Sequence, residues 1–339
     1  MDSVNLTPIK SAEFNKDMTN LTNIYSYSIY IRTLGKGGEK YTRLLRSIDA
    51  QTVRPAEVVV VLPIGYEPPE ERLGYERFAY SEKGMVRQRL FAISDARTPY
   101  VLLLDDDVEF EPQYVEKMFA TMKSAGAQCC IPILKDESKS ASKLKRAVNR
   151  FIGCEVYKNT NDNFFMKINR CGGFVVNTKL LPDVQYYSQT GHGSNCFAET
   201  KTLRDIHFEE ELWLEDSGYA LPDDQGMFYK IHKTGHKIAV CRDAYFCHLN
   251  ATSTNDGRRY LKVAQAKAGN YLIFWYRFIY PYTKGSGKVL SIFSIMHRIF
   301  WECLMYMVKC HNLAVCKNLL LGLRRGFGFI KGNGKYRKI

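Results

Sequence analysis

Three aspartates stand in a row at Asp105, Asp106 and Asp107, directly behind the apolar run 101–104 and ahead of an acidic, proline-ended stretch, 108–112. Like charges crowded at one point repel and resist desolvation, so a fold that keeps them brings a divalent cation, with phosphate oxygens completing its shell. Side chains alternate along a strand, which sends Asp105 and Asp107 to one side and Asp106 to the other. The plainer reading of a bare triplet is a solvated acidic turn ahead of a helix from about Gln113. A second acidic pair, Asp223 and Asp224, opens a helical pattern that Phe228, Ile231 and His232 continue and Gly235 ends. As N-caps such aspartates are ordinary; desolvated beside a metal site, one of them is a general base. His248 follows the apolar strand 244–247, where an imidazole completes a metal shell or meets a phosphate, unless it is simply a packed core histidine.

These groups need a scaffold that brings strand ends together. Residues 25–33 form a first strand, followed by a glycine-containing loop (Gly35, Gly37, Gly38) and a helix whose apolar face is Tyr41, Leu44, Leu45 and Ile48. Residues 57–62 are a second buried strand. The opening is therefore β-α-β, with a right-handed crossover onto a parallel sheet. Residues 101–104 show no alternation, as expected of a strand covered on both faces, and ligands collect beyond the carboxyl ends of such strands. The glycine loop lacks the G-x-G-x-x-G order, which argues against a dinucleotide-binding dehydrogenase.

A short strand at 77–80 leads to a helix after Gly84 marked by Val86, Leu90 and Ile93. Arg87, Gln88 and Arg89 in its first turn oppose the helix dipole, so an anionic group is expected to offset them, unless they form a solvated basic face. Further on come a helix at 114–123, a strand at 128–134, a lysine- and serine-rich run at 136–150 that reads as a flexible, exposed loop or helix edge, and the CGGFVV segment 171–176. There glycines meet a strand where the backbone approaches something closely or forms a bulge.

The 339 residues suffice for one large α/β domain with an appendage. With 48 basic against 35 acidic side chains the net charge is +13, which favours anionic partners. Ten cysteines show no CxxC pair with zinc spacing and read as small core residues. The first 24 residues are polar, without an apolar signal core, so a reducing cytoplasm is expected. No charge-free run of 18 apolar residues occurs; the nearest, 289–308, carries His297, Arg298 and Glu302.

From Gly257 the character changes. An aromatic stretch at 271–282 is broken at 284–288. Then Ile292, Met296, Ile299, Cys303 and Met307 recur at helical spacing, with Arg298, Glu302 and Lys309 placed on the opposite face. A last segment, 313–323, runs into Arg324, Arg325 and a basic tail containing Lys331, Lys335, Arg337 and Lys338. Amphipathic helices of this kind fit peripheral contact with a membrane interface, or packing on the core or a partner. The expected division is a leader at 1–24, a catalytic domain at 25–256 and a helical extension at 257–339.

The order of these parts resembles that of family 2 inverting glycosyltransferases over residues 25–248: LLRSIDAQT on a helix, an EVVVV strand, KGMVRQR, LLLDDD, CGGFVV, DDQGMFYKIHKTGHKI and a closing histidine. The resemblance implies a GT-A fold, a Rossmann-like, mostly parallel sheet that binds a nucleotide-sugar, here with a C-terminal helical, amphipathic extension. It implies Mg²⁺ or Mn²⁺ on Asp107, with Asp105 and His248 completing the metal site. It also implies Asp224 as general base, from the pair Asp223-Asp224, and a nucleotide-sugar held by Thr33, Glu67, Gly84, Arg87, Arg89, Asp105, Asp106 and Gly173. Glu67 stands in for an acidic turn that the family carries after its second strand and that this chain replaces with Leu62, Pro63, Ile64 and Gly65. The first strand closes on Arg32-Thr33 where Pro-Thr is common. The implied partners are a UDP-sugar donor and a saccharide or lipid-linked acceptor, with peripheral contact at the inner face of the cell membrane and no nucleic acid. A nucleotidyltransferase, which would show a GxGxR loop, and a non-catalytic nucleic-acid-binding protein are the alternatives.

Overall fold

The computed structural model describes residues 25–134, 162–249, 259–310 and 313–332. The expected leader, the lysine- and serine-rich run at 136–150, the start of the extension at 257–258 and the tail residues Lys335, Arg337 and Lys338 lie outside the described residues.

The first four long strands are β1 (Tyr27–Arg32), β2 (Glu57–Pro63), β3 (Arg77–Ser81) and β4 (Tyr100–Asp105), joined in the order β3-β2-β1-β4, all parallel. Strand alternation explains their run of consecutive apolar residues. Val101 and Leu103 of β4 enter one core and Leu102 and Leu104 the other, so both faces are buried. On one face lie α1 (Glu39–Asp49), through Tyr41, Leu44, Leu45 and Ile48, and α3 (Tyr114–Ala125); on the other lies α2 (Met85–Asp95). The β-α-β opening and the parallel sheet are as the sequence pattern indicates.

Beyond β4 the sheet continues through β10 (Asn195–Glu199), β6 (Cys129–Pro132), β11 (Ile238–Cys241), β9 (Tyr187–Ser188), β7 (Phe164–Ile168) and β8 (Phe174–Val176). β10 runs antiparallel to both β4 and β6, and the pattern gave no notice of it. A two-stranded ribbon of β5 (Val108–Phe110) and β12 (Phe246–His248) stands apart. Between β10 and β11 the described residues also form the short α4 (Thr200–Asp205), a 3-10 stretch at Phe208–Ser217 and α5 (Asp223–Lys233). Cys129, Cys130, Cys171, Cys196, Cys241 and Cys247 are buried, as core residues should be.

Three helices follow: α6 (Arg259–Phe278), α7 (Ser286–Cys310) and α8 (Leu313–Gly332). α6 is part of the main core, to which Leu272, Ile273, Phe274 and Phe278 belong. Buried charge ties it down: Glu211 is fully buried and accepts hydrogen bonds from Arg277 at 2.6–2.9 Å and from Lys230 of α5 at 2.9 Å. α8 crosses α6 closely at glycines; a β-carbon on Gly322 would stand 2.2 Å from the Gln265 carbonyl oxygen. On α7 the expected apolar stripe is split, with Ile299 buried and Ile292 exposed. Arg298 is buried and pairs with Glu302 at 3.1 Å, on the inward side together with Ile295 and Ile299, while Met296 faces out. Sequence spacing defines the stripes of a helix but not which stripe turns inward, and here a tertiary ion pair decides.

Candidate active site

The carboxyl ends of β1 and β4 put Arg32 and Asp105 opposite each other as register partners. The guanidinium grips Asp105 through Nε, and through Nη2 at 3.2 Å. The same guanidinium donates from Nη1 to Asp223 Oδ2 at 3.2 Å, so one cation joins the end of the sheet to the start of α5. Arg89 of α2 adds a second positive charge 3.1 Å from Asp223 Oδ2 and donates from Nη2 to the Gly193 carbonyl at 2.7 Å. Burial alone would lower the Arg32 pKa, but Asp105 and Asp223 raise it, so it stays charged.

The acidic pair is thereby split. Asp223 is 3% exposed and neutralised by two arginines, whereas Asp224, its neighbour in the first turn of α5, has no arginine partner. Asp224 accepts from the backbone N–H of Gly193 at 3.1 Å and of Gln225 at 2.8 Å. Burial, and then the charge of Asp223, push its carboxyl up to about 6, against the pull of Arg89. A carboxylate so poised can take a proton near neutral pH.

The three strand-end aspartates take three partners. Asp106 turns to the other side and accepts from the Thr33 hydroxyl; burial raises its pKa and that hydrogen bond opposes the rise. Asp107 meets His248, Nε2 to Oδ1 at 3.0 Å, because the antiparallel β5-β12 ribbon places His248 opposite Val108 and the Leu249 N–H donates to the Asp107 carbonyl at 2.8 Å. Donor atoms of Asp105, Asp107 and His248 all lie within 4.8 Å of one another. One imidazole and two carboxylates suit a hard or borderline divalent cation. Arg32 already occupies both oxygens of Asp105, whereas Asp107 pairs with His248.

The structure therefore brings Thr33, Arg89, Asp105, Asp106, Asp107, Asp223, Asp224 and His248 to the carboxyl ends of the strands. Other expected residues have different neighbours. Gly84 lies against Glu215, whose Oε1 accepts the Val86 N–H at 2.6 Å; the anionic group offsetting this helix start is the protein's own. Arg87 pairs with Glu82. Glu67 is exposed, its carbonyl facing Gly35 in the loop after β1. Gly173 faces Arg298 of α7, and the adjacent Gly172 carbonyl accepts from Gln225 at 2.6 Å, linking this turn to the start of α5.

Sequence reading missed Arg32 as an anchor, Glu215 as a cap, and the Gly191-His192-Gly193 loop leading into β10. The loop had a signal in its two glycines: a β-carbon on Gly193 would meet Arg89 Nη2 at 2.7 Å and Asp224 Cβ at 2.8 Å. Gln88, buried, donates to the Thr33 and Val61 carbonyls at 3.1 and 2.8 Å and so holds the ends of β1 and β2 together. A recess of about 500 Å³ between α1 and β5 is lined by none of these residues and holds the Arg43–Glu109 pair instead.

Residues 67–184, about a third of the chain, match the sequence family described as Glycosyl transferase family 2. No curated protein matches the chain. Among solved structures, GalNAc-T7, crystallised with UDP, GalNAc and Mn²⁺, superposes with a TM-score of 0.50 at 14% identity, covering 84% of this chain and 57% of that one. TarS of S. aureus gives a TM-score of 0.47 at 14% identity, covering 81% of this chain and 43% of that one, and its 1–349 fragment 0.43 at 16%, covering 92% and 93%. The chain thus spans about half the length of the first two of these relatives. The family match and the sheet topology agree on a GT-A glycosyltransferase fold.

Proposed function

We propose, on the premise that this chain is a family 2 glycosyltransferase, that it moves one sugar from a nucleoside diphosphate donor to an acceptor hydroxyl with inversion at the anomeric carbon. The observation that carries the reading is the division of labour at the start of α5: Asp223 is neutralised by Arg32 and Arg89, while Asp224 is left unpaired by arginine and pushed up to about 6. In this reading the acceptor oxygen bonds to the anomeric carbon, its proton passes to Asp224, and the bond to the leaving diphosphate breaks with its electron pair. Asp107 and His248, with Asp105 at the rim, would hold Mg²⁺ or Mn²⁺, which supplies charge neutralisation for the leaving group. Arg32 and Arg89 are positioning residues that fix Asp105 and Asp223 in place. Asp106 and Thr33 would face the nucleoside, and UDP is the first donor to test.

A saccharide or lipid-linked acceptor, used on the cytoplasmic side of a membrane in surface glycan synthesis, completes the proposal. The test is thermal stability of the whole chain against UDP-, GDP-, dTDP- and CMP-sugars with and without Mn²⁺, since a ligand that binds the native state raises the midpoint by mass action. A manganese-dependent rise with one nucleotide class supports the reading. No rise with any donor, in folded protein, overturns it.

A further inference from the structure

The C-terminal helices carry a charge balance unlike the rest of the chain. Residues 258–338 contain sixteen of the 48 lysines and arginines and a single acid, Glu302. Since the whole chain is +13, its excess positive charge resides entirely in this part. Glu302 is bound to Arg298, so it offers no free negative charge outward.

α7 is turned inside out for a helix in water. Its inward stripe holds Ser291, Ile295, Arg298 and Glu302, at spacings of four, three and four. Ser291 accepts from Trp275 Nε1 at 2.7 Å and donates to the Arg170 carbonyl at 3.1 Å, and the Arg298 guanidinium lies 3.8 Å from the centre of the Tyr271 ring. Val289, Phe293, Met296 and Phe300 repeat the same spacings on the outer side and are all exposed, Phe293 by 69% and Phe300 by 61%. On α8 the outward positions alternate in kind: Lys317, then Leu320 and Leu321, Arg324, Phe327 and Lys331 are all exposed. Isolated exposed apolar residues are commonplace, but a whole helix face of them, next to cations and no acid, requires a cover.

No described helix is long and apolar enough to cross a membrane. A second copy of this chain is a poor cover, because a two-fold contact would set lysine and arginine rows against each other with no acid between them. An anionic bilayer surface matches both features, since lipid tails take the apolar stripe while long basic side chains reach the phosphates.

We propose that the outer faces of α7 and α8 dock on an anionic lipid bilayer, with Val289, Phe293, Met296 and Phe300 entering the acyl region and Lys288, Lys317, Arg324 and Lys331 meeting headgroup phosphates. Docking sets the height of the active site as well, because the inward side of α7 presses Arg298 on Gly173 and the adjacent Gly172 carbonyl binds Gln225 next to Asp224. That bearing on a lipid-linked acceptor rests on the proposed function, whereas the docking itself does not.

The experiment is flotation of the whole chain with vesicles of phosphatidylcholine alone and of phosphatidylcholine with about one-third phosphatidylglycerol, without donor or metal. The chain is expected to float with the anionic vesicles, to float far less with neutral ones, and to be released as salt rises. Phe293→Ser/Phe300→Ser is expected to melt at the parental temperature and lose at least tenfold in vesicle affinity. Parental chain that stays unbound from anionic vesicles at low salt overturns the proposal, as does a double variant that floats like the parent. A concentration-dependent dimer abolished by the double variant, with no flotation of the parent, assigns the face to a second copy instead. Because no nucleotide-sugar is present, failure here is separable from failure of the donor-dependent thermal shift.

Discussion

Arg32 Nη1 stands 3.2 Å from Asp223 Oδ2, although the two residues are 191 positions apart and lie on different elements. The contact joins the two acidic clusters, since Arg32 also holds Asp105. Removing the guanidinium takes the arginine from Asp105 and leaves the buried Asp223 with Arg89 alone. Arg32→Met is expected to destabilise the protein by roughly 3 kcal/mol or more, as when one partner of a buried pair is deleted. Urea unfolding of Arg32→Met, Asp223→Asn and the double variant checks this. The double variant should lose clearly less than the sum of the singles.

The raised pKa of Asp224 makes two pH predictions of opposite sense. A general base must be ionised, so kcat/KM should fall about tenfold per pH unit below about 6 and level off above it. For stability, the native carboxyl binds its proton more tightly than the unfolded one, whose pKa is about 3.9. The contribution of this group therefore falls as pH rises from about 4 through about 6. Asp224→Asn should lose about 10²–10⁴-fold in turnover. It should melt no lower than the parent at pH 7, and the pH dependence of its unfolding should lack this component. Near-parental turnover would remove Asp224 from the role of base.

Metal binding should follow Asp107 and His248 more closely than Asp105, because Arg32 already engages both oxygens of Asp105. Asp107→Ala and His248→Ala are expected to weaken Mn²⁺ binding by about tenfold or more, comparable to what outer partners of metal ligands are worth. Titration calorimetry with Mn²⁺ in the presence of the donor nucleotide measures it. Unchanged affinity in both variants would sink the assignment.

Gly193 has no room for a side chain: an added β-carbon would press on both Arg89 and Asp224. Gly193→Ala should therefore shift the carboxylate and lower kcat by at least tenfold, a misplacement effect on the reacting geometry. Steady-state kinetics with the donor in excess separates this loss of kcat from any change in KM.

Glu215 caps α2 from the 3-10 stretch, and burial raises its pKa while the Val86 N–H bond opposes the rise. Glu215→Ala should cost about 1 kcal/mol, the usual worth of a helix cap, and thermal unfolding checks it.

The sequence alone determined the strands and helices that obey strong periodicity. Residues 101–104 are apolar without a break because β4 is buried on both faces, and that pattern survives any change of neighbours. The aspartates at its end, the pair opening α5 and the histidine closing β12 were legible because charge at a buried strand or helix end is costly and therefore conspicuous. Only the tertiary structure decided their partners. Asp223 and Asp224 are chemically identical neighbours, and what separates them is direct pairing with two arginines from β1 and α2 on one and burial with those arginines acting only from a distance on the other. The same holds for α7. Its spacing defines two stripes, but the Arg298–Glu302 pair, Tyr271 and the Cys171–Gly173 turn fix which of them faces the core. Periodicity is a local property of the chain, whereas charge compensation and burial depend on groups that only folding brings together.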